Sequence, residues 1–277
     1  MKTAMVVLSL FLFLSTQTQA WSIKADFERG VLGQKAEGPD AFHGAKKLTV
    51  FDDTHVLSGS RSAKATITEG SDGWREWGGR WTFPSALHEG DELWYRVWVW
   101  IEPNWGWNLG SKGTRIHTVS STGANEGYLD ILLYNHQFRV ASEVSPALFN
   151  QNNGEAQYLP PIPLGQWHCV ESYIKFHSVP GQAVERVWRD GVLVFEDMDT
   201  NTLRKPTSFS EFVFLFGYFD EAAAPHTQSL WIDNVALTNE QPDNRDAHGN
   251  PFIGPGPAGV NGRPGTPAGV NVNTQEP

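Results

Sequence analysis

The sequence lacks several features that would each point to a different class of protein. It has a single cysteine, Cys169, among 277 residues, so no disulfide can form within the chain and stability must come from a packed core. The longest apolar run, Ala4–Leu14, is too short to span a bilayer as a helix. No segment shows an extended 3.6-residue apolar period, which argues against a helical protein.

The charge of the chain limits its partners. The formal net charge is −10, which argues against nucleic acid, since the phosphate backbone attracts basic surfaces. A local basic cluster can still bind a polyanion even though the net charge of the chain is negative. We therefore expect no nucleic-acid partner, and nothing in the sequence indicates a protein partner.

Composition divides the chain into three parts. Met1–Ala20 combines Lys2, the apolar run and the small residues of a signal-peptidase site, which predicts a cleaved signal peptide and a secreted or periplasmic protein. Residues 21–240 are long enough for one β domain. Residues 241–277 are rich in Pro, Gly and Asn and repeat Pro-Ala-Gly-Val-Asn, which predicts a flexible tail that adds nothing to the core.

Glycine and aromatic residues are abundant, and short β-like runs recur between turn signals. The predicted strands are Ala63–Ile67, Arg80–Phe83, Glu92–Ile101, Arg115–Ser120, Tyr128–Asn135, Phe138–Ala141, His168–His177, Glu185–Arg189, Val192–Glu196, Glu211–Phe219 and Ser229–Leu237. Asp190-Gly191 between two such runs is a strong hairpin signal. Strands without helices predict an all-β sandwich of two antiparallel sheets.

The strand His168–His177 has two chemically different faces, because side chains alternate along a strand. Its apolar face carries Val170, Ile174 and Phe176. Its titratable face carries Glu171, Tyr173, Lys175 and His177. Such a strand can cover a core with one side and offer acid-base groups to a ligand with the other.

Five segments occur in an order that resembles a known class of protein. They are Asp26-Phe-Glu-Arg-Gly30, Ser58-Gly-Ser-Arg-Ser-Ala-Lys64, Gly165-Gln-Trp-His168, the Asp190-Gly191 hairpin and Leu230-Trp-Ile-Asp-Asn-Val-Ala236. Together they are similar to secreted polysaccharide lyases of the concanavalin A-like jelly-roll class, such as alginate and glucuronan lyases. Non-catalytic carbohydrate-binding jelly-roll modules share the opening and closing strands, so fold alone does not separate the two functions.

The resemblance implies β-elimination on a uronic acid polymer. Such a reaction needs cations around the substrate carboxylate, together with a base and an acid. On this basis Tyr173 and His117 are the expected acid–base pair. The cations expected to neutralise the uronate are Arg80, for which Arg75 is an alternative, Arg115 and Lys175. Arg115 stands where the alginate enzymes have glutamine, which leaves the sugar unspecified.

Aromatic and polar residues suggest where a saccharide binds, since sugar rings stack on indoles. Trp94, Arg96 and Trp98 share one face of a strand and either line a groove or fill the space under a loop. Trp105 and Trp107 lie in a loop and are expected to be exposed. Tyr128, Asp130 and Tyr134 form a polar-aromatic stripe that ends at Asn135 and is expected to line the groove, and His177 is a further expected binding residue. A similarity to lyases with a lysine in a glycine-flanked loop, which Gly110-Ser-Lys-Gly113 fits, adds Lys112.

Two further kinds of chemistry can be weighed from the residues. Asp26, Glu28 and Asp233 would meet if the terminal strands pair, and their oxygens suit a structural calcium, or they simply hydrogen-bond turns. No cofactor or catalytic metal is expected. The Glu-x-Asp-x-x-Glu pattern of jelly-roll glucanases and the Gly-x-Ser-x-Gly elbow of serine hydrolases are both missing from the sequence.

Overall fold

A computed structural model describes residues 19–71, 76, 78–106, 111–134, 136–144, 157–215 and 224–256. This part of the chain contains fifteen β-strands and no helix, which confirms the predicted all-β class. It accordingly has no helix long and apolar enough to cross a membrane.

The strands form two antiparallel sheets. Sheet I contains β1 (Ser22–Ala25), β3 (Thr49–Asp52), β4 (Ser62–Ile67), β6 (Glu92–Ile101), β11 (Trp167–Lys175), β12 (Val184–Arg189), β13 (Val192–Asp197) and β15 (Gln228–Thr238). Sheet II contains β2 (Gly44–Ala45), β5 (Gly79–Leu87), β7 (Ser111–Val119), β8 (Asn125–Tyr134), β9 (Gln137–Ser142), β10 (Gln157–Pro161) and β14 (Phe209–Leu215).

The strand order places distant segments side by side. Sheet I runs β13-β12-β11-β6-β15-β4-β3, with β1 paired to β15, and sheet II runs β10-β9-β8-β7-β14-β5-β2. Each predicted strand has a counterpart in the structure. The sequence did not reveal β1, β2, β3 and β10, which are five residues or fewer and too short to show clear alternation.

The core lies between the sheets and follows from the alternation of side chains. In β6, inward residues such as Leu93, Val97 and Ile101 are 2% exposed or less. Trp81 and Leu87 of β5 face them from sheet II and are fully buried. Apolar burial of this extent supplies the main stabilisation in a chain without disulfides.

The predicted hairpin at Asp190-Gly191 joins β12 to β13. Both residues have positive φ, 53° and 83°, which fits the two-residue turn that Asp-Gly favours. The Asp190 carboxylate also accepts hydrogen bonds from the Cys169 amide and the His168 ring Nδ1, both at 2.8 Å. The histidine of the Gly165-Gln-Trp-His168 motif therefore fixes the hairpin against β11.

The segment after β15 is not a free tail. Residues 242–256, here called the strap, pack on the outer face of sheet I and bury Phe252 to 8% exposure. Phe252 joins a buried apolar cluster, so the prediction that residues 241–277 add nothing to the core does not hold for the strap. The reason is that indole N–H groups and apolar rings on that face can bind an extended backbone. Residues 257–277 lie outside the described part of the chain.

Candidate functional site

Several predicted site residues meet on the outer face of sheet II. Alternation along β7 directs Ile116 into the core, where it is 1% exposed, and turns Arg115 and His117 outward. Tyr128 of the neighbouring β8 lies directly opposite His117 in the strand register. Arg80 is exposed on β5 of the same sheet. The structure thus places Arg80, Arg115 and His117, three of the predicted catalytic residues, on one face of sheet II.

Four outward side chains stack into a continuous series, here called the stacked row: Arg115, Tyr128, His117 and Phe212. The Arg115 guanidinium carbon lies 3.7 Å from the centre of the Tyr128 ring. The Tyr128 and His117 ring centroids are 4.7 Å apart, and those of His117 and Phe212 of β14 are 4.9 Å apart, both stacked. The ring faces cover one another, so the row offers aromatic edges and a guanidinium, which suit a sugar that carries a carboxylate.

The hydrogen bonds of His117 identify its tautomer. The Asn125 Oδ1 accepts a hydrogen bond from the Gly127 amide at 3.0 Å and lies 3.1 Å from His117 Nε2. Because that oxygen is an acceptor, Nε2 carries the hydrogen and Nδ1 keeps a lone pair. Nδ1 is buried and has no hydrogen-bond partner among the described residues. Burial lowers the pKa of His117 below 6.5, so the ring is neutral at pH 7.

Tyr128 is held in the protonated state. It is half-buried in the stacked row, and this burial raises the pKa of its phenol above 10, although the Arg115 charge opposes the shift. A neutral phenol can donate a proton but is a weak base. The stacked row therefore places a neutral imidazole with a free lone pair beside a phenolic O–H.

Carboxylates accompany the cations of this face. Arg115 donates to Asp130 at 2.7 Å and 3.2 Å and to the Glu143 Oε1 at 2.7 Å. The Lys112 amine lies 3.6 Å from Asp130 and 3.9 Å from Glu143. Asp130 is fully buried, whereas the Glu143 side chain is 28% exposed, and burial raises the pKa of Glu143 above its usual value. Lys112, a predicted binding residue, therefore lies beside the same two carboxylates as Arg115.

Tyr173 and Lys175 do not reach this site. Both lie on β11 of sheet I and point away from the core, and Tyr173 is 6% exposed with its ring 4.7 Å from that of Trp94. The predicted acid–base pair of Tyr173 and His117 is therefore wrong, because the two residues lie on opposite sheets. Motif order gave the correct residue types but could not tell which sheet would carry the tyrosine.

The Trp94, Arg96 and Trp98 face is occupied by the strap. The Trp94 indole N–H donates to the Pro251 carbonyl at 3.1 Å, and that of Trp98 to the Pro255 carbonyl at 3.2 Å. Arg96 donates to the Gly254 carbonyl at 2.8 Å. Of the two alternatives, the second is therefore correct: these side chains fill the space under a covering segment and do not line the site on sheet II.

The other predicted binding residues fall elsewhere. Trp105 is 3% exposed and packs in the core, so the expectation that it is exposed is wrong. His177 follows β11 and lies 3.2 Å from Glu89. Tyr134 ends β8, and its side chain is outside the described part. Arg75, Trp107 and Asn135 also lie outside the described residues.

The three carboxylates expected to bind calcium hydrogen-bond the backbone or a neighbouring acid. Asp233 accepts from the Leu57 and Ser58 amides at 3.0 Å and 3.2 Å. Glu28 accepts from the Ser60 amide at 2.9 Å, and a side-chain hydrogen bond with Asp40 raises the pKa of Asp26. No cluster of three or more metal-binding side chains occurs in the part of the chain that the structure describes. The calcium site stays a prediction.

Sequence reasoning missed Phe212 and the Glu143 carboxylate that binds Arg115. Phe212 and Phe214 alternate with the buried Val213 in β14, and this period-two pattern was a usable signal for an aromatic outer face. Asp130 was grouped with Tyr128 and Tyr134, but its ion pair with Arg115 joins residues from two strands. Such a contact depends on strand register, which the sequence does not give.

Comparison with known proteins identifies the fold class. No family model and no curated protein sequence matches this chain. Solved structures do match, and they show that the chain has the jelly-roll fold of alginate and glucuronan lyases.

Three solved structures illustrate the likeness. A substituted form of alginate lyase Aly36B in complex with an alginate trisaccharide is 14% identical, with a TM-score of 0.61, and the match covers 79% of this chain and 98% of that one. Endo-β-1,4-glucuronan lyase from the fungus Trichoderma reesei is 16% identical, with a TM-score of 0.53 and coverage of 79% and 95%. Cellulose induced protein Cip1 is 17% identical, with a TM-score of 0.52 and coverage of 79% and 97%.

Proposed function

We propose that this protein binds a uronic acid-containing polysaccharide on the outer face of sheet II and cleaves it by β-elimination. The stacked row of Arg115, Tyr128, His117 and Phe212 is the observation that carries the proposal, since it joins aromatic surface, a cation and two proton-transfer groups on one sheet face. The likeness to lyase structures supports the fold on which this chemistry would occur.

Three residues of the row, together with Lys112, have a role in the elimination. The neutral His117 takes the proton from the carbon next to the uronate carboxylate, and the released electron pair forms the carbon–carbon double bond. The glycosidic carbon–oxygen bond breaks, and Tyr128 donates its proton to the departing oxygen. Arg115 and Lys112 stabilise the negative charge that develops on the carboxylate. Because Nδ1 of His117 is buried, the imidazole must turn out of the row to accept the proton.

The competing function is carbohydrate binding without catalysis. Two observations favour it. The lone pair on Nδ1 has no access to solvent, and Asp130 and Glu143 already bind both Lys112 and Arg115. A face of this kind can still stack sugar rings without withdrawing a proton.

Replacement of one phenol separates the two functions. The purified protein is incubated with alginate, glucuronan and glycosaminoglycans while the ultraviolet absorbance of the unsaturated product is followed. We expect Tyr128→Phe to reduce turnover at least about 100-fold, because general acid catalysis contributes this much, while binding of the polymer persists. Tyr173→Phe is the matched control, since that tyrosine lies on the opposite sheet and its loss should leave turnover unchanged.

The possible outcomes point in different directions. Absorbance that fails to rise with any uronan, together with retained binding, would favour the non-catalytic module. Full activity in Tyr128→Phe, or loss of activity only in Tyr173→Phe, would overturn the assignment of the proton donor. Export belongs to the same proposal and predicts that the secreted chain begins near Trp21, which N-terminal sequencing would test.

A further inference from the structure

Two arginines beside the stacked row differ from the cations already described. Arg80 and Arg204 are exposed, and neither takes part in an ion pair among the described residues. Lys112 and Arg115, by contrast, each lie against Asp130 and Glu143. Among the described residues beside the row, Arg80 and Arg204 therefore carry positive charge that is not held in an ion pair, and the Glu126 carboxylate lies near enough to Arg204 to interact with its charge.

Arg80 marks one end of the row. It lies on β5, and its guanidinium carbon is 6.0 Å from the centre of the Phe212 ring. Its side chain passes over Gly44 of the edge strand β2, where an added Cβ would lie 3.3 Å from the Arg80 Nε. The absence of a side chain at Gly44 leaves room for the arginine to extend across the sheet edge.

Arg204 marks the other end. Its Nη2 donates to the Glu143 carbonyl at 2.8 Å, and the Glu143 amide donates to the Tyr128 carbonyl at 2.8 Å. Arg204 is thus only one residue removed from the tyrosine of the row. The nearby carboxylate of Glu126 is already bound by Lys205 at 3.0 Å and by the Ser208 hydroxyl.

The loop that carries Arg204 is fastened on both sides. Before it, the buried Leu203 donates its amide to the His177 carbonyl at 3.0 Å. After it, the Ser208 amide donates to the Lys205 carbonyl at 3.0 Å, and Ser208 is fully buried. A cation held in this way loses little conformational entropy when an anion binds.

We propose that Arg80 and Arg204 are the two end anchors of the binding face and select an extended polyanionic saccharide, which rests on the function proposed above. From β5 through β14 and β7 to β8 there are three strand spacings, roughly 14 Å, so a ligand that contacts both ends needs about three sugar units or more. The polymer lies across the outward edges of the row between the anchors and places a carboxylate at each arginine. Arg80 is a specificity determinant in this arrangement and does not act at the reacting carbon.

Binding of defined oligosaccharides tests the inference. Dissociation constants are measured by calorimetry in a Tyr128→Phe background, so that the ligand is not cleaved, with hexasaccharides and disaccharides of alginate and glucuronan and with neutral cellohexaose. We expect Arg80→Gln and Arg204→Gln each to weaken binding of an acidic hexasaccharide about tenfold, since a charge-assisted hydrogen bond is lost. The same changes should leave the weaker binding of the disaccharide within about twofold, because a short ligand cannot reach both anchors.

Arg245→Gln is the matched control. Arg245 is also exposed and also donates to main-chain carbonyls, at 2.6 Å and 2.9 Å, but it lies in the strap on the opposite sheet. Equal affinity for cellohexaose and an acidic hexasaccharide would overturn the proposal. So would an acidic hexasaccharide that binds the Arg80→Gln and Arg204→Gln variants as tightly as the Arg245→Gln control. If elimination occurs but binding does not depend on these arginines, the proposed function stands and the anchor role of Arg80 and Arg204 is wrong. If no uronan is bound or cleaved, the proposed function and the anchor role are both wrong.

Discussion

Glu185 is a carboxylic acid buried in the interior of the protein. Its side chain lies inside the sandwich at 3% exposure, and one carboxylate oxygen has no hydrogen-bond partner among the described residues. Burial, with smaller contributions from Asp197 and Asp130, raises the pKa of Glu185 to about 8, against 4.5 for an ordinary glutamate. The folded state therefore holds the proton more tightly than the unfolded chain does.

This residue makes the stability depend on pH in a direction that can be checked. Between pH 4.5 and about 8 the folded state binds more protons than the unfolded state, so the free energy of unfolding falls as the pH rises through this range. Glu185→Gln removes the titration and keeps the shape. We expect the variant to match the wild type at pH 4.5 and to be more stable by at least about 1 kcal/mol at pH 8.5.

Urea unfolding at the two pH values measures the difference. Glu196→Gln is the control, because Glu196 lies on the same hairpin but is exposed, where substitutions change stability little. A Glu185→Gln variant that is equally destabilised at both pH values would show that the carboxylate makes a favourable contact instead.

At the scale of elements, the strap is held on sheet I by specific contacts. Phe252 packs against Trp188 with ring centroids 5.8 Å apart, and the Trp188 N–H donates to Asp246 at 2.8 Å. The Glu171 carboxylate accepts from the Ile253 and Gly254 amides, and burial raises its pKa to about 7. The titratable face of β11 thus binds the chain's own backbone.

Shortening Phe252 tests how firmly the strap is held. Phe252→Ala should lower the free energy of unfolding by roughly 2–4 kcal/mol, since a buried phenyl ring is lost and Trp188 becomes exposed. Chemical denaturation followed by tryptophan fluorescence measures both effects. Val192→Ala on β13 of the same sheet is the control, because Val192 is 51% exposed and should cost little. A Phe252→Ala variant as stable as this control would show that the Phe252 contacts contribute little to the free energy of unfolding.

The element scale also shows where sequence patterns succeed. The alternation of Val170, Ile174 and Phe176 with polar residues correctly separated the two faces of β11, because successive side chains of a strand point to opposite faces. The Asp190-Gly191 turn was correct because its backbone geometry is local. The strap was missed because proline and glycine signal a lack of regular structure, whether or not the segment packs on a surface.

At the scale of the whole molecule, the two outer faces are independent. The core separates sheets that pack about 10 Å apart, and the strap lies on one outer face while the stacked row lies on the other. We expect Phe252→Ala to leave the affinity for an acidic hexasaccharide within about twofold, and Arg204→Gln to change the free energy of unfolding by less than about 0.5 kcal/mol.

The double variant completes this test. Calorimetry and urea unfolding of Phe252→Ala with Arg204→Gln should reproduce the sum of the single effects in each measurement, because distant sites without shared partners are additive. A clear departure from the sum would mean that the two faces are coupled through the sandwich.

The sequence by itself determined the all-β class, most strands and the Asp190-Gly191 hairpin, and it named Arg80, Lys112 and Arg115 as candidate site residues. These features depend on local alternation, turn chemistry and residue type. Only the tertiary structure decided that Tyr128, not Tyr173, stands beside His117, that Trp94 and Trp98 lie under the strap, and that Arg204 of a distant loop binds the Glu143 carbonyl. Those contacts depend on which strands share a sheet and in what register, and pairing between segments far apart in the chain leaves no local pattern from which it can be read.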